Sequence, residues 1–182
     1  PAQRAWRRRS PTFAPRLDHA SLVIVLDGLR PDYVTPELMP NLHALGERGV
    51  VSRNHHSVFP TVTRVNAASI ATGSYPARHG LLGNSVIFPK IAPDTRFNTG
   101  NAAHLQRIEA ATDGHLLTVT SLGEVLEQGG RKLLAVSSGS SGSAFLLNHK
   151  ICGGGIINNG LVLPTALQPR VTEFLGPVPP DA

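Results

Sequence analysis

The longest uninterrupted aliphatic stretch of the chain is Leu-Val-Ile-Val-Leu at residues 22–26, and Asp27-Gly28 follows it at once. A run this short and this apolar reads as a strand buried on both faces, as in a parallel sheet, with a loop at its carboxyl end. It demands helices to cover it and other strands to pair with it. The sequence offers both. Pro40 opens a helix whose apolar face is marked by Leu42, Leu45 and Val50 and which Gly46 and Gly49 weaken and end. Residues 50–59 read as a second strand. Residues 63–72 read as a helix whose Ala67, Ala68, Ser69 and Ala71 permit close packing on a sheet, ended by Gly73. Residues 84–100 read as loop, 102–111 and 122–128 as helices, and 133–136 as a buried strand. Residues 137–143 read as a Ser/Gly loop, and 151–160 are Gly-rich without a period. From Pro164 the chain reads as unstructured. Short apolar strands alternating with helices predict an α/β layered fold with a mostly parallel sheet between helices.

Composition narrows the class. With 41% apolar and 16% charged residues the chain is not of disordered type. No stretch approaches the roughly 20 apolar residues of a membrane span. Seventeen basic against twelve acidic residues give +5, but Arg4, Arg7, Arg8, Arg9 and Arg16 all fall before residue 17, where no acid stands. The rest of the chain is balanced. The charge therefore belongs to a flexible leader, residues 1–19, rather than to a basic face of the kind that binds nucleic acid. No apolar segment of secretory type follows that leader. Cys152 is alone, so no internal disulfide forms.

Three places can carry chemistry. Asp27 stands at a strand's carboxyl end, where ligands collect in open α/β sheets, and its carboxylate suits a divalent ion. Taken alone, it equally caps a turn with Gly28. The stretch Phe59-Pro60-Thr61-Val62-Thr63-Arg64-Val65-Asn66 puts a hydroxyl at the mouth of a helix, where free N–H groups and partial positive charge favour phosphate. Taken alone, it is a simple Thr N-cap. Asn84, after Gly80-Leu81-Leu82-Gly83, can donate its amide to a developing oxyanion, or simply sit in a turn. Two other features favour plain readings. The Ser/Gly loop at 137–143 lacks the Lys of a phosphate-binding P-loop. His55-His56 are neighbours that a strand would point to opposite faces.

In combination these motifs say more. Asp27-Gly28-Leu29-Arg30, Pro40-Asn41-Leu42, Phe59-Pro60-Thr61-Val62-Thr63 with Asn66, Thr72-Gly73-Ser74-Tyr75-Pro76, His79-Gly80 and Asn84 occur in that order. The series resembles the start of the type I phosphodiesterase/nucleotide pyrophosphatase family of the alkaline phosphatase superfamily, over residues 21–88. The resemblance implies that Asp27 is a metal ligand and that Thr63 is both nucleophile and metal ligand. Thr61 is then the preceding structural Thr, and Asn84 holds a phosphoryl oxygen in the transition state. His79 matches a family His that reads as structural. The run Arg64-Val65-Asn66-Ala67 departs from the aromatic-Pro-Asn-His run common in the family, which bears on substrate preference. The implied cofactors are two divalent metal ions, in the first instance zinc. The implied reaction is hydrolysis of phosphodiester or pyrophosphate bonds through a Thr63 phospho-enzyme. The implied partner is a small phosphodiester or nucleotide. Extracytoplasmic placement is what the resemblance favours.

The remaining ligands of such a centre, in the family carried by Asp-x-x-x-His and Asp-His-Gly motifs, are not found after Asn84. Asp113-Gly114-His115 offers a ligand pair in a polar connection earlier than family ligands come. The chain lacks an initiator Met and ends Pro-rich at Ala182, so the expectation is the N-terminal part of a longer enzyme. Residues 20–163 would belong to the catalytic domain and 164–182 would form a ragged end, with little activity in these 182 residues alone. Alternatives are a phosphomonoesterase or phosphoethanolamine transferase of the same superfamily, or an inactive binding module.

Overall fold

In the computed structural model of the chain, residues 20–177 are described. The basic leader expected at residues 1–19, and residues 178–182 of the Pro-rich end, lie outside them. The chain divides into two compact units, Pro1–Val51 and Ser52–Ala182.

In the first unit a 3-10 turn at Pro31–Tyr33 precedes helix α1, Pro40–Arg48. Pro40 sits at the first helical position, where its missing N–H costs nothing. Gly49 closes the helix, its N–H donating to the carbonyl of Gly46. Both ends are where the residues predict them. The expected strand at 21–26 is not formed. Those residues are irregular, and Leu22 and Val23 are 83% and 71% exposed. An aliphatic run encodes a need for burial, but a strand exists only through the ladder to a neighbour. Residues 50–59, also expected as a strand, contain none either. Asp27 lies in the turn after the run, which Gly28 makes at φ 76° while the N–H of Leu29 reaches the carbonyl of Leu26 at 3.2 Å.

The second unit holds the core. Helix α2, Thr63–Thr72, presents Val65, Ala67, Ala68 and Ala71 inward. These small side chains let it pack against helix α6, Ser141–Leu147. Gly73 ends α2 in the left-handed conformation that glycine adopts without strain, and its N–H returns to the carbonyl of Ser69. A short helix α3, Pro76–His79, follows.

The segment 84–100, expected as loop, is an antiparallel hairpin of β1 (Ser85–Phe88) and β2 (Ala92–Asn98), with Val86 opposite Phe97. Pro89 and Pro93 mask its alternation in the sequence. Phe97 is wholly buried, edge-on to His104 and with the guanidinium of Arg107 over its ring.

Helices α4 (Ala102–Ala111) and α5 (Leu122–Gln128) have the expected bounds. Their caps explain why. The Asn101 side chain accepts from the N–H groups of Ala103 and His104. Ser121 and Glu124 form a reciprocal capping box, and Gly129-Gly130 stops α5. Helix α6 begins inside the expected Ser/Gly loop because Ser140 caps it, accepting from the N–H of Ser143. Helix α7, Gln168–Leu175, lies in the tail expected to be unstructured, buries Val171, and starts with a Pro in its first turn.

The chain is α/β, but the sheet differs from expectation. Strands β3 (Leu134–Ser137), β4 (Gly155–Asn158) and β5 (Leu161–Leu163) run in the order β3-β4-β5. Only β3 and β4 are parallel, and β5 returns antiparallel on β4. The parallel pair is joined through α6, whereas β5 follows β4 across a two-residue turn that permits only an antiparallel return.

Candidate active site

Thr63 is the first residue of α2, preceded by Val62 in extended conformation. Val62 has no side-chain oxygen to cap the helix, so the first-turn donors need other acceptors. One comes from twenty residues on. The side-chain oxygen of Asn84 accepts the backbone N–H of Arg64 at 3.4 Å. The same residue's carbonyl accepts the N–H of Thr99 at 3.0 Å. The Thr99 hydroxyl in turn donates to the carbonyl of Gly83 at 3.0 Å. Two of the sequence-selected residues, Thr63 and Asn84, are thus brought to one helix mouth. The Asn84 amide also carries an NH₂ group, which can donate.

The loop that delivers Thr63 is held by Asn66. Its side-chain oxygen accepts from the N–H of Val58 at 3.0 Å, and its NH₂ donates to the carbonyl of Val62 at 3.1 Å. The chain from Val58 to Val62 is thereby pinned onto the first turn of α2. Sequence reading placed Asn66 in the motif without a role. Its spacing, one helical turn after Val62, is the signal that could have given one.

His79 is wholly buried. The N–H of Leu81 donates to its Nδ1 at 3.2 Å, so the ring proton sits on Nε2 and faces the Ser69 hydroxyl at 2.9 Å. Desolvation lowers its pKa below the ordinary 6.5 against the opposing pull of a backbone hydrogen bond. It is a neutral clamp between the turn after α3 and helix α2, in keeping with a structural residue.

The other candidates fall elsewhere. Asp27 stands, exposed, in the first unit. His55 and His56 are exposed in irregular chain. Asp113-Gly114-His115 forms a left-handed turn after α4, with φ of 50° at Asp113 and 81° at Gly114. It lines a cleft of about 370 Å³ together with Thr118, Glu124, His149 and Lys150.

A group that sequence reading missed stands beside that turn. Glu109 on α4 takes His149 and Lys150 on one carboxylate oxygen. Burial would raise the Glu109 pKa, but hydrogen bonds from His149 and Lys150 outweigh it and hold the carboxyl below its ordinary value. The partners lie forty residues apart, beyond any local motif.

A zinc centre takes three or four protein ligands. Among the described residues no three His, Cys, Asp or Glu side chains gather to hold a metal ion. The oxygen donors Asp27 and Thr63 suit a divalent cation in kind, but the described residues do not complete a two-metal centre.

A family model for type I phosphodiesterase/nucleotide pyrophosphatase matches residues 21–132. An uncharacterised pyrophosphatase/phosphodiesterase of Schizosaccharomyces pombe is 41% identical over 68 residues, which are 37% of this chain and 14% of that protein. Venom phosphodiesterase 2 of Crotalus adamanteus is 37% identical over 67 residues, 36% of this chain and 8% of it. Ectonucleotide pyrophosphatase/phosphodiesterase family member 1 of Homo sapiens is 37% identical over 73 residues, 39% of this chain and 8% of it. The matched stretch therefore spans only about a tenth of these relatives. No solved structure matches.

Proposed function

Because the chain belongs to the type I phosphodiesterase/nucleotide pyrophosphatase family, we propose that it serves hydrolysis of phosphodiester or pyrophosphate bonds in small nucleotide-like substrates, with Thr63 as the nucleophile. The observation that carries this is the pairing at the mouth of α2, where Thr63 is the first helical residue and Asn84 caps the next amide. The Thr63 oxygen attacks phosphorus in line. A bond from that oxygen to phosphorus forms as the bond from phosphorus to the leaving oxygen breaks, and the hydroxyl proton passes to solvent. Water then attacks the phospho-threonine and restores the hydroxyl. The NH₂ of Asn84 and the positive end of α2 oppose the charge that grows on the equatorial oxygens. Asn66 fixes the loop, so that the attacking oxygen starts in one place.

We propose two divalent metal ions, zinc in the first instance, as cofactors. Asp27 and Thr63 each contribute an oxygen ligand, and the other ligands come from outside the described residues. Bound divalent ions supply Lewis acidity and lower the pKa of a coordinated hydroxyl. The layered architecture of the alkaline phosphatase superfamily is proposed with the function, supported by the family match and by the α/β content. Among the described residues no helix is long and apolar enough to cross a membrane.

The test is substitution in the full natural protein that carries this sequence, assayed on a chromogenic phosphodiester and followed by mass spectrometry of the trapped enzyme. Thr63→Ala is expected to abolish turnover and the phospho-threonine adduct with the thermal midpoint unchanged, and Thr61→Ala to keep both. Loss of turnover in Thr61→Ala with retention in Thr63→Ala would sink the assignment. Absence of turnover in the unsubstituted protein would favour an inactive binding module.

A further inference from the structure

Arg64 follows Thr63 as the second residue of α2, and its side chain is unlike the other cations of the second unit. It is half-buried, and its Nε is buried with no hydrogen-bond partner. Among the described residues no carboxylate forms an ion pair with it. A buried N–H without an acceptor is costly, so it calls for an explanation.

The surroundings are built around the guanidinium. It lies over Gly100, where a Cβ would collide with Nη2 and stand 3.1 Å from Cζ. The side-chain oxygen of Asn98 is 3.0 Å from the same point and is itself committed to the N–H of Gly100 at 2.8 Å. The carbonyl of Gly100 accepts the N–H of Gly142 at 2.9 Å, which fixes this segment against the start of α6. Glycine at position 100 thus leaves a hollow that the guanidinium fills. The backbone of Arg64 is meanwhile tied to Asn84. A planar, permanently charged fork held in place, short of a counter-ion and adjacent in sequence to the nucleophile, matches the oxygens of a phosphate.

We propose that Arg64 is the specificity-determining contact for a second phosphoryl group, so that the site selects substrates carrying a phosphate beside the scissile one over substrates with a single phosphate. This rests on the proposed role of Thr63, and the experiment separates the two. Calorimetric titration of the full chain in metal-free buffer compares methylenediphosphonate, which carries two phosphoryl groups and resists hydrolysis, with methylphosphonate, which carries one. The unsubstituted chain is expected to prefer the diphosphonate by about 10- to 100-fold, the range of one or two charge-assisted hydrogen bonds.

Arg64→Gln is expected to abolish that preference and Arg64→Lys to keep part of it. Gly100→Ala, which leaves Arg64 in the sequence but displaces its guanidinium, is expected to act like Arg64→Gln. Thr63→Ala is expected to retain the preference. No preference in the unsubstituted chain, or an undiminished one in folded Arg64→Gln, overturns the inference, with folding judged by circular dichroism. A preference that depends on Arg64 in a protein without turnover would sink the hydrolase reading and leave this one standing. Turnover that depends on Thr63 without any such preference would do the reverse.

Discussion

One oxygen of Glu109 lies 3.0 Å from Nδ1 of His149, and the same oxygen receives Lys150 at 3.1 Å. Lys150 also donates to the carbonyl of Gly114. A carboxylate on α4 therefore ties down both the turn that follows that helix and the segment that follows α6. Because its folded pKa is depressed, its contribution is present above the ordinary value of 4.5 and is lost as pH falls through the lower folded value. Glu109→Gln is expected to cost about 1–3 kcal/mol at neutral pH. Urea titrations at pH 7 and pH 3 check this, and the gap between the two proteins should close at the lower pH. An equal gap at both pH values would contradict the ion-cluster account.

His79 gives a second pH dependence. Its folded pKa is lowered, so the unfolded chain takes up a proton that the folded one resists. Stability is therefore full above pH 6.5 and declines as pH falls from there toward the lowered folded value. In His79→Gln the slope of stability between pH 5 and 7 should flatten. Thermal melts across that range measure it, and a slope equal to that of the unsubstituted chain would refute the buried neutral imidazole.

Asn66→Ala removes the two short hydrogen bonds, to the N–H of Val58 and the carbonyl of Val62, together with a longer one to the carbonyl of Val58 at 3.5 Å. The expected loss is about 1–2 kcal/mol, one ordinary net contribution for each of the two short bonds. Hydrogen exchange should rise at the amide of Val58 while the interior of α2 stays protected. In the full protein turnover should fall more than substrate affinity, because the loop positions Thr63, the proposed nucleophile.

Phe97 is the largest wholly buried side chain, and it carries the hairpin onto α4. Phe97→Ala is expected to cost about 3–5 kcal/mol. That is a large share of the stability of a domain this size, so the thermal midpoint is the readout.

What was legible in the sequence follows from how local each determinant is. Helices α1, α2, α4 and α5 carry their own starts and stops, such as Pro40, Asn101, the Ser121/Glu124 box and Gly73, and their bounds could be read directly. The hairpin at 85–98 was hidden by two prolines, and α6 by the Ser-rich run in which Ser140 turns out to be a cap. The aliphatic run at 22–26 misled in the other direction, since its composition speaks for a strand and the pairing that makes one lies elsewhere in the chain. At the site, the Thr63 and Asn84 motifs were visible in sequence. The fixed guanidinium of Arg64 was not, since its place depends on Gly100, thirty-six residues away.

Residues 21–26 also bear on how the chain behaves at high concentration. Six residues, uncharged and free of Pro, with the β-branched Val23, Ile24 and Val25 at their centre, lie open to solvent, and such a segment can stack on its own copies. The first charge that interrupts the series is Asp27, so the proposed metal ligand also acts as a gatekeeper against self-association. Asp27→Asn would remove that guard, and static light scattering should then rise at lower protein concentration than for the unsubstituted chain.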